Sequence, residues 1–370
     1  MFRFLFWLWL VLLYASPALA LRVGLVIPLS GSEGKEGVIL RLWAGELAQF
    51  FYRTEGLRLE LIPLDSRGRP SHIPALMKEA FLSGVEVLIG PARPECASVL
   101  AKEAKKWHIP LILTAGEINP IKQLRRPPGI IFRTGLTTRA AVKVLYYCLK
   151  KKGYHQIGLL ISSDSWGKEG EKWLQAYAAE YGLRIKKIRY FGPYDTDVTF
   201  HLEALLDTEA VVCWASPWAS LTVARNIDQM GLKLPVYFSH HVSPEGFLRT
   251  YPALLNKPFV GAAFLAQEDL FPGNKDLYEL LTNFVHRENL TYDLSLAALA
   301  DAFVFLKNGI ERGQGNLVKG LEKTGLIKGV TGLYFVSADD HYGLLPATVG
   351  VYKYEALSYE PVCRPRAGVL

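Results

Sequence analysis

Residues 21–51 read LRVGLVIPLSGSEGKEGVILRLWAGELAQFF. The first nine residues form a nearly continuous apolar run, as in a strand covered on both faces. The next eight, SGSEGKEG at 30–37, are too rich in glycine for helix or strand. VILRLWAGELAQFF then places Ile39, Trp43, Leu47 and Phe50 near one another at helical spacing. A strand that runs through a Gly/Ser loop into a helix is the opening half of a βαβ unit. Ligands of open α/β sheets bind outside the carboxyl ends of the strands. The loop 30–37 is therefore the first candidate binding segment, with Ser30 and Glu36 as its contacts.

Upstream, residues 1–20 carry Arg3, an apolar run from Phe4 to Tyr14, and the small-x-small end Ala18-Leu19-Ala20. That is the pattern of a secretory signal cleaved after Ala20. The run is shorter than the roughly 20 residues a bilayer span needs, and Pro17 breaks it. No cysteine follows the cleavage site to take a lipid. A chain that is periplasmic or otherwise exported, and soluble after cleavage of the signal, is expected.

The 370 residues are 50% hydrophobic and 21% charged, enough for packed cores and for two domains at the usual domain size. Net charge is +7, but the basic residues are scattered (Arg67/Arg69, Lys105/Lys106, Arg125/Arg126, Lys150–Lys152, Lys186/Lys187). No basic run is interleaved with stacking aromatics, so nucleic acid is not an expected partner. Cys96, Cys148, Cys213 and Cys363 are far apart, without a CxxC pair, which excludes the common zinc and redox patterns. Export permits one disulfide without selecting the pair. Cys213 sits in an apolar strand and reads as core.

Downstream, strands and helices alternate. Strands are predicted at 57–65, 85–90 and 109–113, helices at 74–82 and 96–107. Pro127-Pro128-Gly129 interrupts before IIFRTG (130–135), and the pattern then restarts. Helices are predicted at 138–152, 170–181, 198–206 and 219–230, and strands at 156–162, 183–191, 210–215 and 235–239. An apolar stretch at 259–265, three helical stretches and two late strands close the chain. The fold class is α/β, with two doubly wound parallel-sheet lobes. Strand-end loops give the remaining candidates: Arg93, Pro94 and Glu95; Thr114, Ala115 and Glu117; Trp166; Ser216 and Trp218; and His241. Tyr292 is a further aromatic candidate.

Catalytic patterns fail. In GSEGKEG the lysine precedes Glu36 rather than Ser or Thr, so the chain lacks a phosphate loop there. Neither GxSxG nor HExxH occurs. His240 and His241 are adjacent; in an extended segment they would point opposite ways and could not share one ion. No catalytic residue, metal or cofactor is expected, and the chain does not read as an enzyme.

VGLVIPLSG, VLIGP, IPLILTAGEINP, IFRTG and IGLLISSDSWGKEG, in this order and spacing, resemble the leucine/isoleucine/valine-binding proteins, the type I solute-binding receptors of ABC importers. The resemblance covers nearly all of the chain after the signal. It implies a Venus-flytrap architecture of two lobes, 21–135 plus 267–338 and 136–266 plus 339–370, joined by crossovers near 134–138, 266–268 and 337–342. It implies a small-molecule ligand in the cleft, an ABC permease in the inner membrane as partner, and a monomer. The family's carboxylate-holding residues fall on Pro94, Glu117 and Ile118, with Thr114 keeping a hydroxyl nearby. Its acid for the ligand ammonium falls on His241, its aromatic wall on Trp166, and a second tyrosine on Ser216. The expected ligand is a small polar or amphipathic molecule, with leucine, isoleucine and valine bound weakly or not at all. A ligand sensor or an envelope interaction domain on the same scaffold is the alternative.

Overall fold

The computed structural model describes residues 20–31, 33–90, 94–115, 129–242, 252–254, 256–262, 274–290, 294–355 and 358–365. The signal at 1–19, the expected crossover at 266–268, and Arg93, Glu117 and Tyr292 lie outside them, as do the side chains of Pro94 and Glu95. The chain divides into two compact units, Met1–Ile112 and Leu113–Leu370.

The first unit holds β1 (Leu21–Ile27), α1 (Gly34–Glu55), β2 (Leu59–Asp65), α2 (Ile73–Leu82), β3 (Val87–Ile89), α3 (Pro94–Trp107) and β4 (Leu111–Leu113), whose last residue opens the second unit. Its strands are parallel in the order β2-β1-β3-β4. Val23, Leu25, Val26 and Ile27 are all buried, as a strand covered on both faces requires. The register sets Ile27 opposite Asp65, so both strands end at one level.

Helix α1 differs from its sequence reading in two ways. It begins at Gly34, inside the glycine-rich stretch. A Cβ at Gly37 would lie 2.0 Å from the Pro28 carbonyl, so the first turn packs against the strand end only because that residue is glycine. The buried stripe is Leu40, Trp43, Ala44, Leu47 and Phe51, one step round from the expected Ile39 and Phe50. Gly56, in the left-handed region at φ 67°, ends the helix and donates to the Tyr52 carbonyl.

The second unit contains β5 (Ile131–Arg133), α4 (Thr138–Lys151), β6 (Gln156–Ser162), α5 (Ser165–Tyr177), β7 (Arg184–Phe191), α6 (Thr199–Glu203), β8 (Ala210–Trp214), α7 (Pro217–Gln229), β9 (Val236–Phe238) and β10 (Phe259–Ala262). It continues with α8 (Lys275–Arg287), α9 (Leu294–Gly313), α10 (Leu317–Glu322), β11 (Gly325–Lys328), β12 (Leu333–Val336), β13 (Val349–Glu355) and β14 (Ser358–Cys363). Seven strands form one sheet, in the order β14-β13-β10-β9-β8-β6-β7, and β11-β12 is a separate hairpin. The run from β10 to β7 is parallel; β13 and β14 add antiparallel to it. Strands β11 and β14 escape the sequence reading; β11 has only four residues, too few for a period to show.

A disulfide joins Cys148 of α4 to Cys363 of β14 across 215 residues, while Cys96 and Cys213 are buried thiols outside it. Cys213 is thus the core residue expected.

Two of the expected crossovers run side by side. The Arg133 N–H donates to the His341 carbonyl at 3.1 Å, and the Thr137 N–H to the Tyr342 hydroxyl at 3.3 Å. His341 stacks on Phe132 at 3.9 Å. Behind them Asp301 of α9 is fully buried, accepting from the amides of Val330 and Thr331 and lying 2.7 Å from the Tyr334 hydroxyl. Burial pushes its carboxyl up to about 6, against the opposing effect of those hydrogen bonds.

Candidate ligand-binding site

The strand-end loop of the first unit is built around a carboxylate of its own. Asp65, the last residue of β2, accepts from the N–H groups of Leu29 (2.9 Å), Ser30 (3.2 Å) and Arg67 (2.9 Å), and from the Ser30 hydroxyl (2.6 Å). Burial acts to raise its pKa, but the bonds from Ser30, Arg67 and Leu29 together hold it below the ordinary carboxylate range. Ser30 is therefore spent on its own chain. Glu36 lies in the first turn of α1, where the helix dipole favours an acid. Asp65 was missed in the sequence; the signal was an aspartate closing the apolar run LIPL, one register step from the loop it ties.

In the second unit, Thr114 and Ala115 follow β4 and are buried. The ends of β6, β8 and β9 are neighbours in the sheet and deliver Trp166, Ser216–Trp218 and His240–His241. Helix α5 starts at Ser165, five residues before the predicted start, so Trp166 stands in its first turn rather than in a loop. The cause is Asp164, whose carboxylate caps the helix by accepting from the Gly167 N–H (2.9 Å) and from the Ser162 hydroxyl (2.7 Å). Ser216 caps α7 in the same way, accepting from the Ala219 N–H at 3.4 Å. The Ser239 hydroxyl donates to the Ala215 carbonyl at 3.2 Å.

His240 and His241 occupy a 3₁₀ turn, not the extended segment the sequence reading assumed. Their rings therefore lie side by side, with centroids 3.9 Å apart. His241 meets Trp166 edge to face at 4.1 Å, and His240 lies 5.7 Å from Trp214. Trp214 is fully buried, as expected of a strand residue, and backs the pair. Gly170 makes room for it: a Cβ there would stand 2.0 Å from the indole ring. Burial pushes His240 down to about 3; burial, and then the neighbouring His240, hold His241 well below its ordinary value. Both imidazoles are neutral at pH 7.

Trp166 and His241 are half-buried and keep open surface. Among the described residues, neither the Trp166 indole N–H nor a ring nitrogen of His241 has a hydrogen-bond partner. The Nδ1 of His240 and the Nε1 of Trp214 are buried and also unpartnered. Trp218 is 66% exposed on the first turn of α7. Of the sequence candidates, the structure brings Trp166 and His241 together. His240 and Trp214, which complete the cluster, were legible only as neighbours of candidates. Among the described residues no three His, Cys, Asp or Glu side chains are grouped to hold a metal, and no helix is long and apolar enough to cross a membrane.

The profile of the family described as periplasmic binding protein matches residues 20–354. Solved structures share the fold at low identity. An ABC transporter substrate-binding protein from Sphaerobacter thermophilus is 18% identical with a TM-score of 0.79, covering 94% of this chain and 98% of that one. The branched-chain amino acid transporter substrate-binding protein LivJ from Streptococcus pneumoniae, in complex with isoleucine, is 17% identical with a TM-score of 0.73, covering 94% and 100%. A solute-binding protein of an ABC transporter from R. palustris, in complex with benzoate, is 16% identical with a TM-score of 0.69, covering 93% and 96%. No curated protein matches the chain in sequence.

Proposed function

This chain belongs to the periplasmic binding protein family, and from that premise we propose that it is an exported solute-binding protein that captures a small polar or amphipathic molecule and delivers it to an ABC permease in the inner membrane. The observation that carries the reading is the Trp166–His241 pair. A half-buried indole and imidazole, 4.1 Å apart and with unpartnered nitrogens, stand at the carboxyl ends of parallel strands. That is where α/β sheets bind ligands, and unpaired polar atoms on an aromatic wall are what a small solute needs.

The reading includes export by the signal at 1–20, a mature chain starting at Leu21, and a monomeric receptor. The lobes are 21–135 plus 267–338 and 136–266 plus 339–370, and ligand capture is coupled to hinge closure. The segments 134–138 and 337–342, joined by the Arg133 N–H to the His341 carbonyl and by the Thr137 N–H to the Tyr342 hydroxyl, support a hinge there. Mass spectrometry of small molecules released from protein purified out of the exported fraction tests the function. A molecule released near one per chain, which on rebinding reduces the radius of gyration in solution scattering, is the expected result. Release of no small molecule would contradict it.

A further inference from the structure

We infer that the amino edge of the first unit, where Phe81, Leu82 and Trp107 stand among lysines, rests on an anionic phospholipid surface. The inference goes beyond the solute-binding reading and takes from it only the export signal at 1–20.

Parallel strands put their amino ends at one edge, opposite the strand-end loops. In the first unit that edge collects the starts of β1 to β4 and the last turns of α1, α2 and α3. Short turns, Ser83–Glu86 and His108–Pro110, lead from α2 into β3 and from α3 into β4. The Arg22 guanidinium donates to the Ser83 carbonyl at 3.3 Å, and the Leu21 N–H to the Arg58 carbonyl at 3.0 Å. Both bonds tie the start of β1 to this edge. The expected signal ends one residue before β1, so until cleavage this edge is the part of the unit next to the bilayer.

Phe81 and Leu82, in the last turn of α2, are 56% and 74% exposed. The Phe81 ring lies 5.0 Å from that of Trp107, the last residue of α3, so the apolar patch bridges two helix ends. Lys78 lies one turn before Phe81 and Leu82, and Lys102, Lys105 and Lys106 occupy the last two turns of α3. The acids interspersed with them are Glu79, Glu86 and Glu103. Glu86 accepts from the Arg22 N–H at 2.9 Å. Glu103 accepts from the Trp107 indole N–H at 3.2 Å and pairs with Lys106 at 3.5 Å. Positive charge is left in excess.

The helix dipole accounts for cations in a last turn. It does not account for large apolar side chains held in water beside them. An exposed apolar patch with a charged rim marks an interaction surface. Here the rim is cationic, which suits lipid phosphates, while the apolar tips enter the boundary between headgroups and acyl chains. A second copy fits less well, because a two-fold contact would set the same lysines against one another.

Flotation of the mature chain, residues 21–370, with vesicles tests this. Phosphatidylcholine vesicles holding about 30% phosphatidylglycerol are compared with phosphatidylcholine alone. Binding to the anionic vesicles is expected to be at least about tenfold stronger and to fall as salt rises. Phe81→Ser with Leu82→Ser is expected to weaken it about tenfold at an unchanged melting temperature, since both side chains are exposed. Lys102→Gln with Lys106→Gln is expected to weaken it and to flatten the salt dependence. Equal binding to both vesicles, binding to neither, or binding that neither pair of substitutions lowers overturns the inference. So does a dimer in sedimentation that Phe81→Ser with Leu82→Ser splits, because a second copy then covers the patch. Solute capture is read separately, from the molecule that co-purifies, and its failure is a different result.

Discussion

The two units end their strands in opposite ways. In the first, the loop after β1 closes on a charge supplied by the chain itself. Asp65 takes the amides of Leu29, Ser30 and Arg67 and the Ser30 hydroxyl, so these groups are already engaged. In the second, the hydroxyls of Ser162, Ser216 and Ser239 are likewise engaged internally, yet among the described residues Trp166 and His241 keep unpartnered nitrogens and open surface. Saturated polar groups fix a loop; unsaturated ones beside aromatic faces await a partner. A strand-end position therefore does not make a residue a ligand contact. Whether its polar atoms are already engaged decides more.

The units also differ in how they are held. The second carries the Cys148–Cys363 disulfide, whereas Cys96 in the first is a buried thiol outside any disulfide. Removing a cross-link that closes 215 residues is the largest expected effect. In the chain-entropy picture it costs roughly 5 kcal/mol. Cys148→Ala with Cys363→Ala should lower the melting temperature and expose the second unit first to amide hydrogen exchange. Equal loss of protection in both units would break the distinction.

Asp65→Ala strands three amides and a hydroxyl in the first unit. A loss of roughly 2 kcal/mol is expected in chemical denaturation, given that the site is partly exposed. Asp65→Asn, which keeps an acceptor, should recover part of it. If the alanine variant instead loses ligand and keeps its stability, the loop is a binding loop and the contrast is wrong.

Acid sharpens the comparison further. The folded pKa of His240 is about 3, below the unfolded value of 6.5, so the unfolded chain takes the proton first. Stability is full above pH 6.5 and falls as pH drops toward 3, with His241 shifted the same way. At pH 5 the loss is about 2 kcal/mol for His240 alone. Asp301 acts oppositely: its folded pKa of about 6 lies above 3.8, so it gains stability as pH falls through that window. Asp65, with a lowered pKa, loses stability only near and below 3.8. Thermal melts at pH 7 and pH 5 should thus show a loss, deepened by Asp301→Asn and unaffected by Asp65→Asn. A melt independent of pH would refute the neutral histidine pair.

Much of the fold was legible because apolar runs and helical stripes are local signals. The alternation from 21 to 239 holds in the structure, and Trp214 and Cys213 are the core residues their strand implied. What failed to show in the sequence was relational. The Asp65 clamp depends on the β1–β2 register, and the disulfide on packing β14 against α4. The side-by-side His240 and His241 depend on one 3₁₀ turn, where an extended segment would have sent them apart. The start of α5 was within reach: Ser-Asp-Ser before Trp166 is an N-cap signal, masked by the glycines at 167 and 170. Four-residue β11 carries too few residues for any period to appear.

The most direct test uses the molecule that co-purifies with the exported protein. It is titrated into the wild-type chain, Trp166→Ala and Ser30→Ala. Trp166→Ala is expected to weaken binding by at least about tenfold. Ser30→Ala is expected to leave it within about twofold, because that hydroxyl already serves Asp65. Binding lost with Ser30→Ala and kept with Trp166→Ala would contradict the account.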